Sequence, residues 1–172
     1  AQIFQNFNNN DYVAKALKKY PERLEQFADV DSMWSDTYHV PGAASRLEKA
    51  MERWPMKAFT HYVAAEDDGS WFNSTDGIDF FKVAEQAGLI ASIAMSPHHQ
   101  PELRKVAERH PDLDILCHHM SGLRAHGNDA RANLKVVTES SELPNIFLKL
   151  SGFPYLTNTE WNFPYSDTQW VY

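Results

Sequence analysis

The apolar positions of this chain fall into a repeat: an amphipathic helical pattern, a breaker, then a short apolar run suited to a strand. Asn10 or Asp11 caps the first pattern, in which Val13, Ala16, Leu17 and Tyr20 recur at helical spacing. The same spacing predicts helices over 43–54 (Leu47, Ala50, Met51, Trp54), from Ser74–Asp76 to Ala87, from Pro101 to about Arg109, and from Asn128–Asp129 onward. Between them Leu24–Asp31, Lys57–Ala65, Leu89–Ser96, Leu113–His119 and Asn145–Ser151 read as strands, and Ala1–Phe7 as the tail of another. The breakers are Tyr20-Pro21, Trp54-Pro55, Ala87-Gly88, His110-Pro111 and Leu143-Pro144. Proline cannot continue a helix and moves the preceding residue to extended angles, while glycine takes the left-handed position that ends one. Strands alternating with helices at this spacing imply right-handed crossovers and a parallel sheet. Such a sheet gathers its chemistry at the carboxyl ends of the strands.

The connections are asymmetric. Helix-to-strand turns are terse, whereas the strand-to-helix loops are long and crowded with aromatic and polar residues: SMWSDTYHVPG, EDDGSWFNSTDG and SGLRAHGND. The stretch FPYLTNTEWNFPYSDTQW after the last strand continues this. Loops of that composition suit a binding face, and Trp34 and Trp71 are expected over the carboxyl end as substrate contacts.

Composition narrows the function class. At 172 residues the chain is one domain's worth, with no low-complexity linker. A net charge of −7 without a basic stripe argues against a nucleic-acid partner. No apolar run reaches membrane-spanning length, so no membrane partner is expected. Cys117 is the single cysteine, which excludes an internal disulfide and points to a reducing, cytoplasmic setting.

Two strand ends carry candidate chemistry. In the string Cys117-His118-His119-Met120-Ser121-Gly122, strict alternation puts the two histidines on opposite faces, one toward a crevice and one toward the covering helices. In the last strand Ile146, Leu148 and Leu150 suit the helix side, which leaves Phe147, Lys149 and Ser151 facing inward. An inward lysine pairs with a carboxylate or serves a substrate. His61 stands late in its strand, in phase with Phe59 and Val63, and is a weaker substrate-binding candidate. His39, His98, His99, His110 and His126 fall in loops or at helix ends, where solvated roles are the better reading. No G-x-G-x-x-G, P-loop, G-x-S-x-G or H-E-x-x-H pattern occurs, so no nucleotide cofactor is expected. Cys117 reads as a small core residue.

Three strings then resemble one family. PDLDILCHHMSG is similar to the P-x-L-x-I-V-L-D-H-M-G segment of the amidohydrolase 2 branch of the amidohydrolase superfamily, PNIFLKLSGF to its P-N-V-Y-V-K-L-S-G-L strand, and NDYVAKALKKYPERLEQFADVD to its opening. They span Asn10 to Phe153 in the family's order. The resemblance implies a (β/α)8 TIM-barrel fold of which this chain, 1–172, holds about strands 2–7 as one partial domain. It also implies a hydrolase that opens a lactone or related cyclic ester by activated water. His119 takes the place of the family's catalytic histidine, and His118 that of its Asp. Lys149, Ser151 and Arg124 become candidate holders of a carboxylated or sugar-derived lactone. The first-strand H-x-H and eighth-strand Asp of the family are not in this chain, so residues 1–172 alone are expected to be inactive. Metal-dependent members carry zinc or manganese, for which His119 is the candidate ligand here. No histidine stands at Met95–Pro97, where those members have one, which favours the lactonase-like subgroup; His98 and His99 lie just beyond. A metal-dependent decarboxylase or hydratase, and a non-catalytic fragment, are the alternative readings, and a homo-oligomer is an expected assembly.

Overall fold

The computed structural model describes residues 9–158 and 163–171; the strand expected over Ala1–Phe7 lies outside them. Five strands, β1 (Gln26–Asp29), β2 (Met56–Tyr62), β3 (Ile90–Ala94), β4 (Ile115–Cys117) and β5 (Ile146–Leu148), pair in parallel in sequential order. Helices α1 (Asn9–Lys19), α2 (Ala43–Arg53), α3 (Thr75–Gln86), α4 (Gln100–Arg109) and α5 (Ala130–Thr138) alternate with them, and a single turn α6 (Phe153–Leu156) follows β5. The parallel sheet with its crossover helices is the architecture that the repeat predicts, and its sequential strand order is that of the partial barrel that the resemblance implies. Among the described residues no helix is long and apolar enough to cross a membrane.

The breakers act where expected. Trp54, ahead of Pro55, leaves α2 in extended geometry (φ −125°, ψ 139°), and Gly88 follows α3 at φ +63°. Each strand is shorter than its apolar run at the carboxyl end. Asp31 takes φ +51° and His119, Met120 and Ser121 take φ +46° to +57°, so the backbone leaves the sheet early to build the loops.

Register pins one face of every strand. Asp29, Thr60, Ser92, Leu116 and Phe147 share a row across the sheet, and their neighbours Ala28, Phe59, Ile93, Ile115 and Cys117 point the other way, into the helices. There they pack on Leu47, Phe80, Phe81, Ala84, Leu103 and Val106, all fully buried. Phe80 stands edge-on to Phe59 at 4.9 Å and to Phe81 at 5.4 Å, a favoured aromatic geometry. Side chains also brace the connections. Asp76 of α3 accepts from the Gly42 and Ala43 amides at the start of α2 and from the Trp71 indole. Asn10 of α1 brackets the β1 edge, accepting from the Asp29 amide (2.9 Å) and donating to its carbonyl (2.8 Å), as a neighbouring strand would.

These contacts set two stability expectations, measurable by urea denaturation. Phe80→Ala removes the centre of the aromatic packing and lowers the unfolding free energy by about 3–5 kcal/mol. Gly77→Ala would improve helix propensity on an open helix, but its Cβ would overlap the Trp71 carbonyl oxygen; the expected outcome is a loss of about 1–3 kcal/mol.

Candidate functional site

Thr60, Ser92 and Leu116 of the inward row line a cavity of 510 Å³, whose wall is completed by Val13, Glu25, Phe27, Tyr62, His118, His119 and Lys149. Its chemistry lies at the carboxyl ends of β2, β4 and β5. His118, 8% exposed, is hydrogen-bonded through Nε2 to the Ser92 hydroxyl. Burial pushes its imidazole down to about 4, and the charges of Lys149 and His119 add to the shift. His118 is therefore neutral at neutral pH. His119 bonds the Ser151 hydroxyl through Nδ1 at 3.1 Å and meets Tyr155 edge-on at 5.4 Å. Burial, then Lys149, lowers its proton affinity as well.

The two histidines reach one cavity, which corrects the alternation argument. Ile115 and Cys117 face the helices, so His118 continues the inward phase of Leu116 and falls on the inner face. The left-handed backbone at 119–121 then swings His119 back to the same mouth, with the ring centroids 5.6 Å apart. Gly152, at φ +75°, makes room: a Cβ there would stand 2.6 Å from His119 Nδ1. Lys149 lies in the cavity wall as its parity requires, and among the described residues it makes no ion pair. Its amide bonds the Cys117 carbonyl and its carbonyl receives the Met120 amide, which ties it to the histidine turn. Ser151 meets the site through His119. Arg124 lines a smaller adjoining pocket of 190 Å³ with Met95, His119 and Tyr155, and its guanidinium donates to the Tyr155 carbonyl at 2.8 Å.

The remaining candidates divide. Trp34 lies against Tyr62 (4.6 Å), a residue of the cavity wall, without itself lining the cavity. Trp71 and His61 do not line it. Both sit on the helix side, where Trp71 stacks on His39 at 4.3 Å and packs against Phe80. His61, fully buried, donates from Nδ1 to the Val30 carbonyl at 3.2 Å, and its Nε2 faces His39 Nε2 at 3.3 Å. Its phase with Phe59 and Val63, two core residues, already implied that side. Burial pushes it down to about 4, with His39 adding to the effect. His39 is bonded through Nδ1 to the Asp67 carboxylate (3.1 Å) rather than being a solvated loop residue, and burial lowers its proton affinity. His98 and His99 both donate to the Asp67 carbonyl, so they brace that loop. Burial raises the Cys117 thiol, as befits a core residue.

Sequence reasoning missed four inward groups: Asp29, Thr60, Tyr62 and Ser92. Alternation within 26–29 and 58–62 held the signal, because Phe27 and Asp29, and Thr60 and Tyr62, share a phase opposite to the apolar row. Asp29 accepts from the Ser32 hydroxyl (3.0 Å), and burial raises its carboxyl to about 6 against the Ser32 and Trp34 hydrogen bonds. Among the described residues no group of three His, Cys, Asp or Glu side chains is arranged to hold a metal ion. The donors at the mouth are two imidazoles and a lysine, which among the described residues do not by themselves complete a ligand set for a divalent cation.

A family model described as "Amidohydrolase" matches residues 1–171. A search of curated proteins finds no match. Among solved structures, an amidohydrolase from Burkholderia multivorans with bound zinc superposes with a TM-score of 0.75 at 15% identity, over 96% of this chain and 57% of that one. A probable 2-pyrone-4,6-dicarboxylic acid hydrolase from Acinetobacter baumannii with citric acid bound gives 0.68 at 16%, over 90% and 54%. A 5-carboxyvanillate decarboxylase from Sphingomonas paucimobilis gives 0.53 at 14%, over 85% and 54%. At these identities the likeness carries the fold, and the chain spans just over half the length of each.

The buried titrating groups predict an acid-sensitive fold. His61 and His118 titrate near 4 when folded against 6.5 for a free imidazole, so the unfolded chain binds protons the folded one does not. Their stabilisation is complete above about pH 6.5 and is lost as pH falls toward 4. Asp29, raised from 3.8 to about 6, acts in the opposite direction over roughly the same window. The net is one proton, or roughly 1.4 kcal/mol lost per pH unit between about pH 6 and 4. His39, His99 and His119, also lowered, steepen it. Denaturation midpoints across this range should show the slope, and a flat profile would contradict it.

Proposed function

The chain belongs to the amidohydrolase family, and from that premise we propose that it serves a hydrolase opening a lactone or related cyclic ester with activated water. The observation that carries this reading is the meeting of two neutral imidazoles and an unpaired ammonium group at the mouth of one cavity. Attack of water on the acyl carbon moves a proton off the nucleophile and charge onto the carbonyl oxygen. His119, free of charge and oriented by Ser151, can take part in proton transfer or donate to that oxygen. Lys149 suits a carboxylate of the substrate, and Arg124 one that extends toward Tyr155. Thr60 and Tyr62 add hydroxyl groups to the wall. A small carboxylated or sugar-derived lactone matches these dimensions and charges.

The resemblance puts further catalytic groups on barrel strands that this chain does not contain. Residues 1–172 alone are therefore expected to be inactive, and activity belongs to a form carrying the whole barrel. In that form, assayed by proton release on aldonolactones and dicarboxylate lactones, His119→Ala should lower kcat/KM by roughly a hundredfold or more. Lys149→Met should act mainly on KM, and only for carboxylated substrates. His98→Ala, whose ring faces a loop carbonyl, should stay near the parent rate. Neutral imidazole also predicts an acid limb in kcat/KM below pH 6.5, where His119 gains its proton. Full activity in His119→Ala would move the chemistry elsewhere. Release of CO2 that a chelator abolishes would favour the decarboxylase reading.

A further inference from the structure

We propose that Asp29 is a catalytic acid–base group of this cavity, acting from the β1 wall opposite His119. The inference deepens the hydrolase reading and rests on it. Asp29 is the last residue of β1, registered beside Thr60 and in phase with Phe27, both of which line the cavity. Its neighbours are built to hold a carboxyl group in one place. Asn10 bonds both its amide and its carbonyl, and Ser32 donates to Oδ2 at 3.0 Å. The Trp34 side chain also donates to it, and the Trp34 ring lies on Tyr62, which meets His118 edge-on at 5.7 Å. The aromatic pair thus runs from the carboxyl group to the imidazole across the mouth of one cavity. Strand-held placement of this kind is what an acid–base group requires.

The neighbouring charges are consistent with the role. Asp31, two residues on, is turned away and clamped by Arg46 at 2.7 Å and by the Thr37 hydroxyl. It therefore leaves Asp29 as the acid at the carboxyl end of β1, whereas the exposed Glu25 meets the cavity at the amino end of that strand; Asp31 still opposes the ionisation of Asp29. The groups facing Asp29 are Asn10 from α1, Thr60 and Tyr62 from β2, and Ser32 and Trp34 from its own loop; none of them is cationic. Lys149 and His118 stand in the same cavity wall on β5 and β4. A carboxyl so placed is ionised at neutral pH yet close to its titration point. As base it accepts the proton of the attacking water. The resulting carboxylic acid then returns that proton to the leaving alkoxide oxygen of the opened ring, so that the proton count closes within one turnover.

The test uses the full protein and three variants. Asp29→Asn should lower kcat/KM for a lactone by about a hundredfold or more and remove the component of the acid limb near pH 6, leaving the part set by His119. Asp29→Glu should recover part of the rate. Ser32→Ala takes away a donor that favours the ionised form, so it should move the acid limb to higher pH with little change in the plateau. A residue that only braced the loop would not shift that limb. Carbon NMR of the Asp29 carboxyl supplies a readout independent of the substrate: titration near pH 6 in the parent, and higher in Ser32→Ala, is expected. An ordinary carboxyl titration below about pH 4.5, or an Asp29→Asn enzyme within threefold of the parent with its limb intact, overturns the proposal. A parent that leaves every lactone untouched while Asp29 titrates near pH 6 overturns the hydrolase reading instead.

Discussion

Burial of one row of strand side chains under the helices is the constraint from which the rest follows. Phe59, Ile93, Ile115 and Cys117 are fully buried against α2–α4, and a shift of one residue in any strand would turn them into the cavity. Burying a side chain of that size is worth about 1.5–3 kcal/mol, so several in concert fix the register firmly. With that row settled, the alternate row has no freedom left. Asp29, Thr60, Ser92 and His118 face inward because their neighbours cannot. The polar lining is thus a consequence of apolar packing, and the cavity is positioned by the most rigid part of the molecule.

A second constraint acts where the strands stop. Alternation alone would separate His118 from His119, and three consecutive left-handed residues bring them together. That conformation costs roughly 1–2 kcal/mol per non-glycine residue. It is held by backbone bonds: Met120 donates to Lys149, and Lys149 donates to Cys117. The histidine turn and the end of β5 consequently move as a unit. Placing Lys149 near the imidazoles is what the same pairing achieves, and the low proton affinity of both histidines owes part of its size to that lysine.

The sheet order, the helices and their stops were legible because they rest on local chemistry: apolar spacing, and prolines at 21, 55, 111 and 144. The inward phase of Lys149 was legible for the same reason. What the sequence did not disclose depended on where each strand ends. Ending β4 at Cys117 freed His119 from the helix-side phase of Cys117, and no local signal marks a left-handed His-Met-Ser run, since none of those residues is glycine. Trp71 and His61 were misplaced for a different reason. An aromatic residue in a strand-to-helix loop can face the cavity or turn back over the helices, and composition does not distinguish the two. Asp29 went unnoticed because the partners that hold it, Asn10 and Trp34, are distant from it in the chain or separated from it by a turn.

The misplaced aromatics nevertheless explain how the mouth keeps its shape. Asp67 receives the Tyr38 hydroxyl, the His39 ring and the Gly69 amide on its carboxylate, and both His98 and His99 on its carbonyl. Tyr38, His39 and Trp71 stack beside it, with His61 beneath. One loop residue therefore ties together the connections after β1, β2 and β3. Trp34 and Ser32 belong to the first of these, so the loop that orients Asp29 is anchored through a network that never enters the cavity. His39, His98 and His99, expected in solvated roles, hold loops instead, and the chemistry is left to the few groups whose strands point them inward.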